Sequence, residues 1–144
     1  MRIEASKRNE YKYFHEIATR WSDNDIYGHA NNVIYYSWFD TVVNYFLITH
    51  HLLDIECGEV IGVVIESQCN YLTPVAFPEP VYAGLRVGKL GNSSVRYEVG
   101  IFRNDDPLAV AQGHFVHVYV DRVTRRPVAI PAGMREILQT LQVE

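Results

Sequence analysis

The sequence predicts an α+β domain in which one long helix is covered by an antiparallel sheet, and three observations predict it. Val33 to Leu53 is an apolar, aromatic-rich run without proline or glycine, long enough for several helical turns. From Val60 the chain is strand-like almost throughout, broken by short turns of the kind that join antiparallel neighbours. Pro131 to Gln142 sets Met134, Ile137, Leu138 and Leu141 at helical spacing, a short amphipathic C-terminal helix.

In chain order, residues 1–10 are mostly polar and read as a frayed end of a single domain spanning 1–144. Tyr11 to Thr19 alternates, with Tyr13, His15 and Ile17 against Phe14, Glu16 and Ala18, and reads as a first strand. The helix carries Val33, Ile34, Tyr36, Phe39, Val42, Val43, Phe46 and Leu47, apolar on nearly every face, so it is expected to be covered by a curved sheet or to remain partly exposed. A polar turn follows at Asp54-Ile55-Glu56-Cys57-Gly58-Glu59. Four strands come next: Val60 to Leu72, Val81 to Leu90, one carrying Val95, Tyr97, Val99 and Ile101, and Leu108 to Asp121. Val81, Ala83, Leu85 and Val87 share a face, as do Val116, Val118 and Val120.

Composition narrows the function classes. At 144 residues and 48% hydrophobic the chain can bury a sizeable core. A net charge of -4 without a basic run argues against nucleic acid. Cys57 and Cys69 offer neither a disulfide framework nor metal-type spacing. No signal-peptide core opens the sequence, and no segment reaches transmembrane length without polar residues, so the expectation is a cytoplasmic protein with no membrane partner.

The stretch from Arg20 to Asn32 reads as a loop, with two carboxylates, Asp23 and Asp25, and one glycine. Asn31 or Asn32 suits the N-cap of the helix, its side-chain oxygen accepting from first-turn amides. A carboxylate therefore stands just before a helix N-terminus, whose free amides and partial positive charge suit a developing oxyanion. Other chemistries fit less well. Gly91-Asn92-Ser93-Ser94 lacks the closing glycine of a nucleophile elbow. His114 and His117 fall on opposite sides of a strand and cannot share a metal, and no phosphate loop or dinucleotide fingerprint occurs.

Five segments occur in an order that carries a resemblance: 23–32 (Asp-Asn-Asp-Ile-Tyr-Gly-His-Ala-Asn-Asn), 70–75 (Asn-Tyr-Leu-Thr-Pro-Val), 90–94 (Leu-Gly-Asn-Ser-Ser), 111–114 (Ala-Gln-Gly-His) and 120–127 (Val-Asp-Arg-Val-Thr-Arg-Arg-Pro). Together they span most of the chain. The sequence resembles the hotdog-fold acyl-CoA thioesterases, in their 4-hydroxybenzoyl-CoA thioesterase-like branch. The resemblance implies a five-stranded antiparallel sheet wrapped around the long helix, in a homodimer or homotetramer with active sites at subunit interfaces. It implies hydrolysis of an acyl-CoA to free acid and coenzyme A, which is part of the substrate, with no cofactor or metal. Asp25 then attacks the thioester carbonyl or activates water to do so, and the amide near Asn32 polarises the carbonyl oxygen. Some relatives carry a histidine at the position of Asn32, and this chain does not.

Each candidate has a plainer reading beside the catalytic one. Asp25 can satisfy loop amides, as aspartates commonly do, while Asp23 reads as structural and paired with Arg20. Gly28 supplies a backbone conformation other residues resist or lets the thioester come close. His29 is a proton shuttle or a singly bonded loop histidine. Glu66, amid Val63, Val64 and Ile65, either orients water and the helix start or forms a salt bridge on the outer face. Asn31 is a cap or a substrate contact. Tyr35 is the helix aromatic kept for an acyl pocket, the rest reading as core. Lys89, Ser93, Ser94, Arg96, Arg125 and Arg126 are candidates to hold coenzyme A phosphates, or exposed groups at strand ends that keep the protein in solution. Two alternatives stand beside hydrolysis: a non-catalytic acyl-CoA-binding protein, which the carboxylate at Asp25 argues against, and an enoyl-thioester hydratase. The acyl group stays open between short, long and aromatic.

Overall fold

The computed structural model describes residues 3–54 and 58–143; Cys57 and its neighbours in the polar turn lie outside them. Strand β1 (Tyr13–Ile17) precedes helix α1 (Asn32–Thr49). Four strands follow, β2 (Val60–Tyr71), β3 (Val81–Leu90), β4 (Ser94–Arg103) and β5 (Ala111–Asp121), and then helix α2 (Ala132–Gln139). The strands form one antiparallel sheet in the order β1-β3-β4-β5-β2, so β2 is an edge strand with one side unpaired.

Alternation decides which side chains face α1. Val81, Ala83, Leu85 and Val87 of β3 and Val95, Tyr97, Val99 and Ile101 of β4 are completely buried, as their spacing predicts. Against them α1 lays Tyr35, Trp38, Phe39, Val42, Val43, Phe46 and Leu47, a stripe at helical spacing. Met134 and Leu138 of α2, with Leu141, extend the same core, and the Val87 N–H donates to the Leu141 carbonyl at 2.8 Å.

Of the two arrangements open to it, full cover by the sheet or partial exposure, the helix takes the second. It is covered on one side, leaving Val33, Tyr45 and Ile48 substantially exposed, because the single sheet of one chain has only one inner face to offer. It also stops at Thr49, short of Leu53. The Thr49 hydroxyl donates back to the Phe46 carbonyl at 3.0 Å, His50 Nδ1 lies 2.9 Å from the same oxygen, and His51 adopts a left-handed φ of 56°.

Strand β5 begins at Ala111, not Leu108, and its valine row faces outward. Phe115, His117 and Tyr119 point inward, where α1 presents aromatic surface: Tyr36 stacks on Phe115 with ring centroids 6.0 Å apart, and Phe39 meets it at 5.8 Å. On the outer face Tyr11 lies across the paired Gly84 and Gly100, so closely that a Cβ at Gly100 would stand 2.6 Å from its ring. Arg86 covers Tyr11 from above, and Arg86 and Arg96 each donate to Glu98 at 2.8 Å. Burial pushes the Glu98 carboxyl up, but these bonds outweigh it and hold the group below the usual range. Residues 6–10, read from sequence as frayed, carry hydrogen bonds to this face: Ser6 N–H to Gln112 Oε1 at 2.7 Å, and Arg8 N–H to the Pro107 carbonyl at 2.8 Å.

Candidate active site

Asp23 builds the loop before α1. It is buried, and it accepts from the Arg20 N–H at 2.8 Å and from the Arg20 guanidinium at 3.0 and 2.8 Å. Its own carbonyl accepts from the Asn31 N–H at 2.8 Å. The role is structural, with the partner its sequence spacing suggests.

Asp25 sits in the next turn, half-buried. Its N–H donates to the His29 carbonyl at 2.9 Å, and the Gly28 N–H returns to the Asp25 carbonyl at 3.1 Å. Gly28 takes φ +83° with open space where a Cβ would go, so conformation, not room, requires glycine there. Asp25 Oδ1 accepts from the Tyr27 N–H at 2.8 Å, the one hydrogen bond its carboxylate makes among the described residues.

The first turn of α1 is capped by Asn31, whose side-chain oxygen accepts from the Val33 N–H at 3.1 Å while its carbonyl takes the Ile34 N–H at 2.9 Å. The Ala30 N–H donates to the Val75 carbonyl at 2.6 Å. Among the described residues the Asn32 N–H has no acceptor. It remains a donor at the positive end of an 18-residue helix.

An open cavity of about 610 Å³ joins these groups. Asp25, His29, Asn32 and Tyr35 line it, together with Tyr27, Tyr71 and the segment Leu72 to Pro74. Burial pushes the Tyr35 phenol up to about 12, the nearby Cys69 adding to the effect. Cys69 itself is pushed up to about 11 by burial against an opposing hydrogen bond from Tyr71, so at neutral pH it is a thiol and a poor nucleophile.

The other candidates lie elsewhere. Glu66 points to the outer face, where its Oε2 lies 2.6 Å from His114 Nε2; this is the salt-bridge reading, and the catalytic assignment of Glu66 finds no support within the chain. The register explains why: a bulge between Val64 and Glu66 shifts β2 so that Glu66 opposes the outward Val116. Lys89, Ser93 and Ser94 belong to the β3–β4 hairpin, and Arg125 and Arg126 follow β5. Tyr71 opposes Ala111 at the cavity end, whereas Arg96, the neighbour of Lys89, opposes Val116, Ser94 opposes Val118, and Arg125 and Arg126 follow Asp121, so five to ten residues of strand, roughly 17–33 Å, separate these groups from the cavity end of the sheet. Sequence reasoning missed Tyr71 and Leu72 to Pro74 as cavity walls, although they stand in a segment that carries the resemblance; a strand ending at a Thr-Pro pair was the available signal.

Comparison with known proteins agrees with this architecture. The profile of the thioesterase superfamily matches residues 27–110, more than half of the chain, beginning just past Asp25. The PA5185 protein of Pseudomonas aeruginosa strain PAO1 is 53% identical, with a TM-score of 0.94 over 98% of this chain and 99% of that one. The PA2801 protein of the same species, described as a candidate thioesterase, is 30% identical, with a TM-score of 0.82 over 89% of this chain and 98% of that one. Slr0204, a 1,4-dihydroxy-2-naphthoyl-CoA thioesterase from Synechocystis, shares the fold at 13% identity, with a TM-score of 0.81 over 88% and 95% of the two chains. The uncharacterized protein YsmA of Bacillus subtilis (strain 168) is 28% identical over 61% of this chain, and the match spans 59% of its own length. A helix-wrapping five-stranded sheet and a matching profile lead to one conclusion: the chain belongs to the thioesterase superfamily, a family of thioester hydrolases, and carries the hotdog fold.

Proposed function

We propose that this protein hydrolyses an acyl-CoA thioester in the cavity at the start of α1. The carrying observation is that a carboxylate with one engaged oxygen, Asp25, and an N–H without an acceptor among the described residues, Asn32, line the same cavity. As general base, Asp25 takes a proton from water while the water oxygen bonds to the thioester carbon. The carbonyl oxygen gains negative charge facing the Asn32 N–H, then collapse breaks the C–S bond and the thiolate leaves with a proton. As nucleophile, an Asp25 oxygen bonds to the thioester carbon, the C–S bond breaks and coenzyme A leaves as thiolate, and water then cleaves the mixed anhydride to the free acid and the regenerated Asp25 carboxylate. Either route needs no metal or redox cofactor, because a thioester is already activated toward attack.

The described walls of the cavity hold no lysine or arginine, so the phosphates of coenzyme A need cations from elsewhere. A homodimer made by antiparallel pairing of the free β2 edges, alone or doubled into a homotetramer, supplies them. Such pairing reverses the second sheet and carries the partner's hairpin and post-β5 arginines toward the Tyr71 end of β2. The test is thiol release across short, long and aromatic acyl-CoAs, run beside Asp25→Asn. Turnover on some substrates that falls about a thousandfold in the variant supports the reading. Retained turnover in the variant overturns the role of Asp25, and acyl-CoA binding without release by the wild type overturns hydrolysis. His29 lining the same cavity favours one competitor, the hydratase, and crotonyl-CoA in the panel separates the two.

A further inference from the structure

One hydrogen bond and one ring contact tie the last residue of β2 to the start of α1. The Tyr71 hydroxyl donates to the Asn32 carbonyl at 2.9 Å, crossing 39 positions of sequence. A carbonyl has two acceptor sites, and helix geometry uses only one of them here, for the amide four residues on. The Tyr71 ring meets the Tyr35 ring edge-on at 5.0 Å, and both line the cavity. The next two residues anchor Tyr71 in turn: the N–H groups of Leu72 and Thr73 both donate to the Val110 carbonyl, at 2.9 and 3.0 Å.

We infer that Tyr71 is a positioning residue for thioester hydrolysis, a strut from the sheet that sets where the Asn32 N–H points. This rests on the reading of Asn32 as oxyanion donor. The neighbouring amides at this helix end are held by partners: Ala30 by Val75, Asn31 by Asp23, Val33 and Ile34 by Asn31. The Asn32 N–H has no such restraint, because it must stay free for the substrate. Its peptide plane is shared with the Asn31 carbonyl, which the Ile34 N–H holds at 2.9 Å, and a grip on the Asn32 carbonyl in the next plane limits how residue 32 can turn about its own φ and ψ. Tyr71 is the one side chain among the described residues that grips that carbonyl. An oxyanion donor works only when aimed at the oxygen of the transition state, so loosening the grip weakens transition-state binding more than substrate binding.

The experiment compares wild type, Tyr71→Phe and Tyr71→Leu in two readouts: steady-state thiol release, and amide hydrogen exchange of the segment 29–36. Tyr71→Phe keeps the ring and deletes the donor. It is expected to lower kcat about tenfold with KM within about twofold, the size of one lost neutral hydrogen bond, and to speed exchange at the start of α1. Tyr71→Leu removes the cavity wall too, and is expected to raise KM as well. Unchanged kcat in Tyr71→Phe overturns the proposal, as does a loss carried by KM alone. If wild type hydrolyses no substrate, thioester hydrolysis is what fails. Exchange then reads the strut separately, and unchanged exchange in Tyr71→Phe overturns the strut itself.

Discussion

The hydroxyls of Tyr97 and Tyr119 lie 2.7 Å apart on the inner face of the sheet, each the other's partner where both side chains are buried. Burial pushes Tyr97 well up and Tyr119 up to about 12, so both are neutral phenols throughout the range in which proteins are stable. Replacing one leaves the other polar group without a partner. Tyr119→Phe is expected to cost about 1–3 kcal/mol of stability, read from urea unfolding. The double replacement with Tyr97→Phe should cost less than the sum of the two single changes, because the orphaned hydroxyl disappears.

His117 stands beside that pair, its ring 5.0 Å from Tyr97, and its Nε2 has no hydrogen-bond partner among the described residues. Burial holds its pKa down to about 4 from an ordinary 6.5, against the pull of Asp40. The unfolded chain thus binds a proton that the folded one refuses. Stability is full above pH 6.5, falls as pH drops toward 4, and levels off below. The loss from this group is about 3 kcal/mol. Unfolding free energies measured from pH 7 to 4 should show that slope in the wild type and a shallower one in His117→Gln.

Ile65 occupies the bulge on the free edge of β2 and is well exposed in the single chain. If that edge pairs with its copy, Ile65→Lys sets two like charges near the two-fold axis. Sedimentation should then show a dimer dissociation constant raised about a hundredfold, with turnover falling as the monomer accumulates. A variant that stays dimeric places the interface elsewhere.

Much of this was legible in the sequence because burial imposes period. The rows of β3 and β4 follow from spacing alone, and side-chain chemistry narrows the cap to Asn31 or Asn32, of which the structure takes Asn31. What escaped was fixed by choices between two allowed faces. Val116, Val118 and Val120 share a face as their spacing says, but a valine row does not reveal that Phe115, His117 and Tyr119 win the inner side by matching the aromatics of α1. Glu66 was ambiguous for the same reason, since one bulge decides which way it points. Asp23 and Asp25 look equivalent in composition. The pairing of Asp23 with Arg20 was legible from their spacing; the fold adds the Asn31 N–H on the Asp23 carbonyl and the opening of Asp25 to the cavity. Tyr71 joins residues too far apart in the chain for any local pattern to pair them.

The donor at Asn32 belongs to the main chain, and this shapes how the protein can vary. Nineteen amino acids at position 32 would keep an N–H there, so most single mutations leave the group in place and alter only its surroundings. Proline alone deletes it. Position 32 is the first residue of α1, where proline is well tolerated, and Asn31 already has the extended backbone that proline asks of the residue before it. With the Asn32 N–H as the oxyanion donor proposed above, one residue change would silence the chemistry and leave the fold standing, a short evolutionary path from catalyst to binding protein.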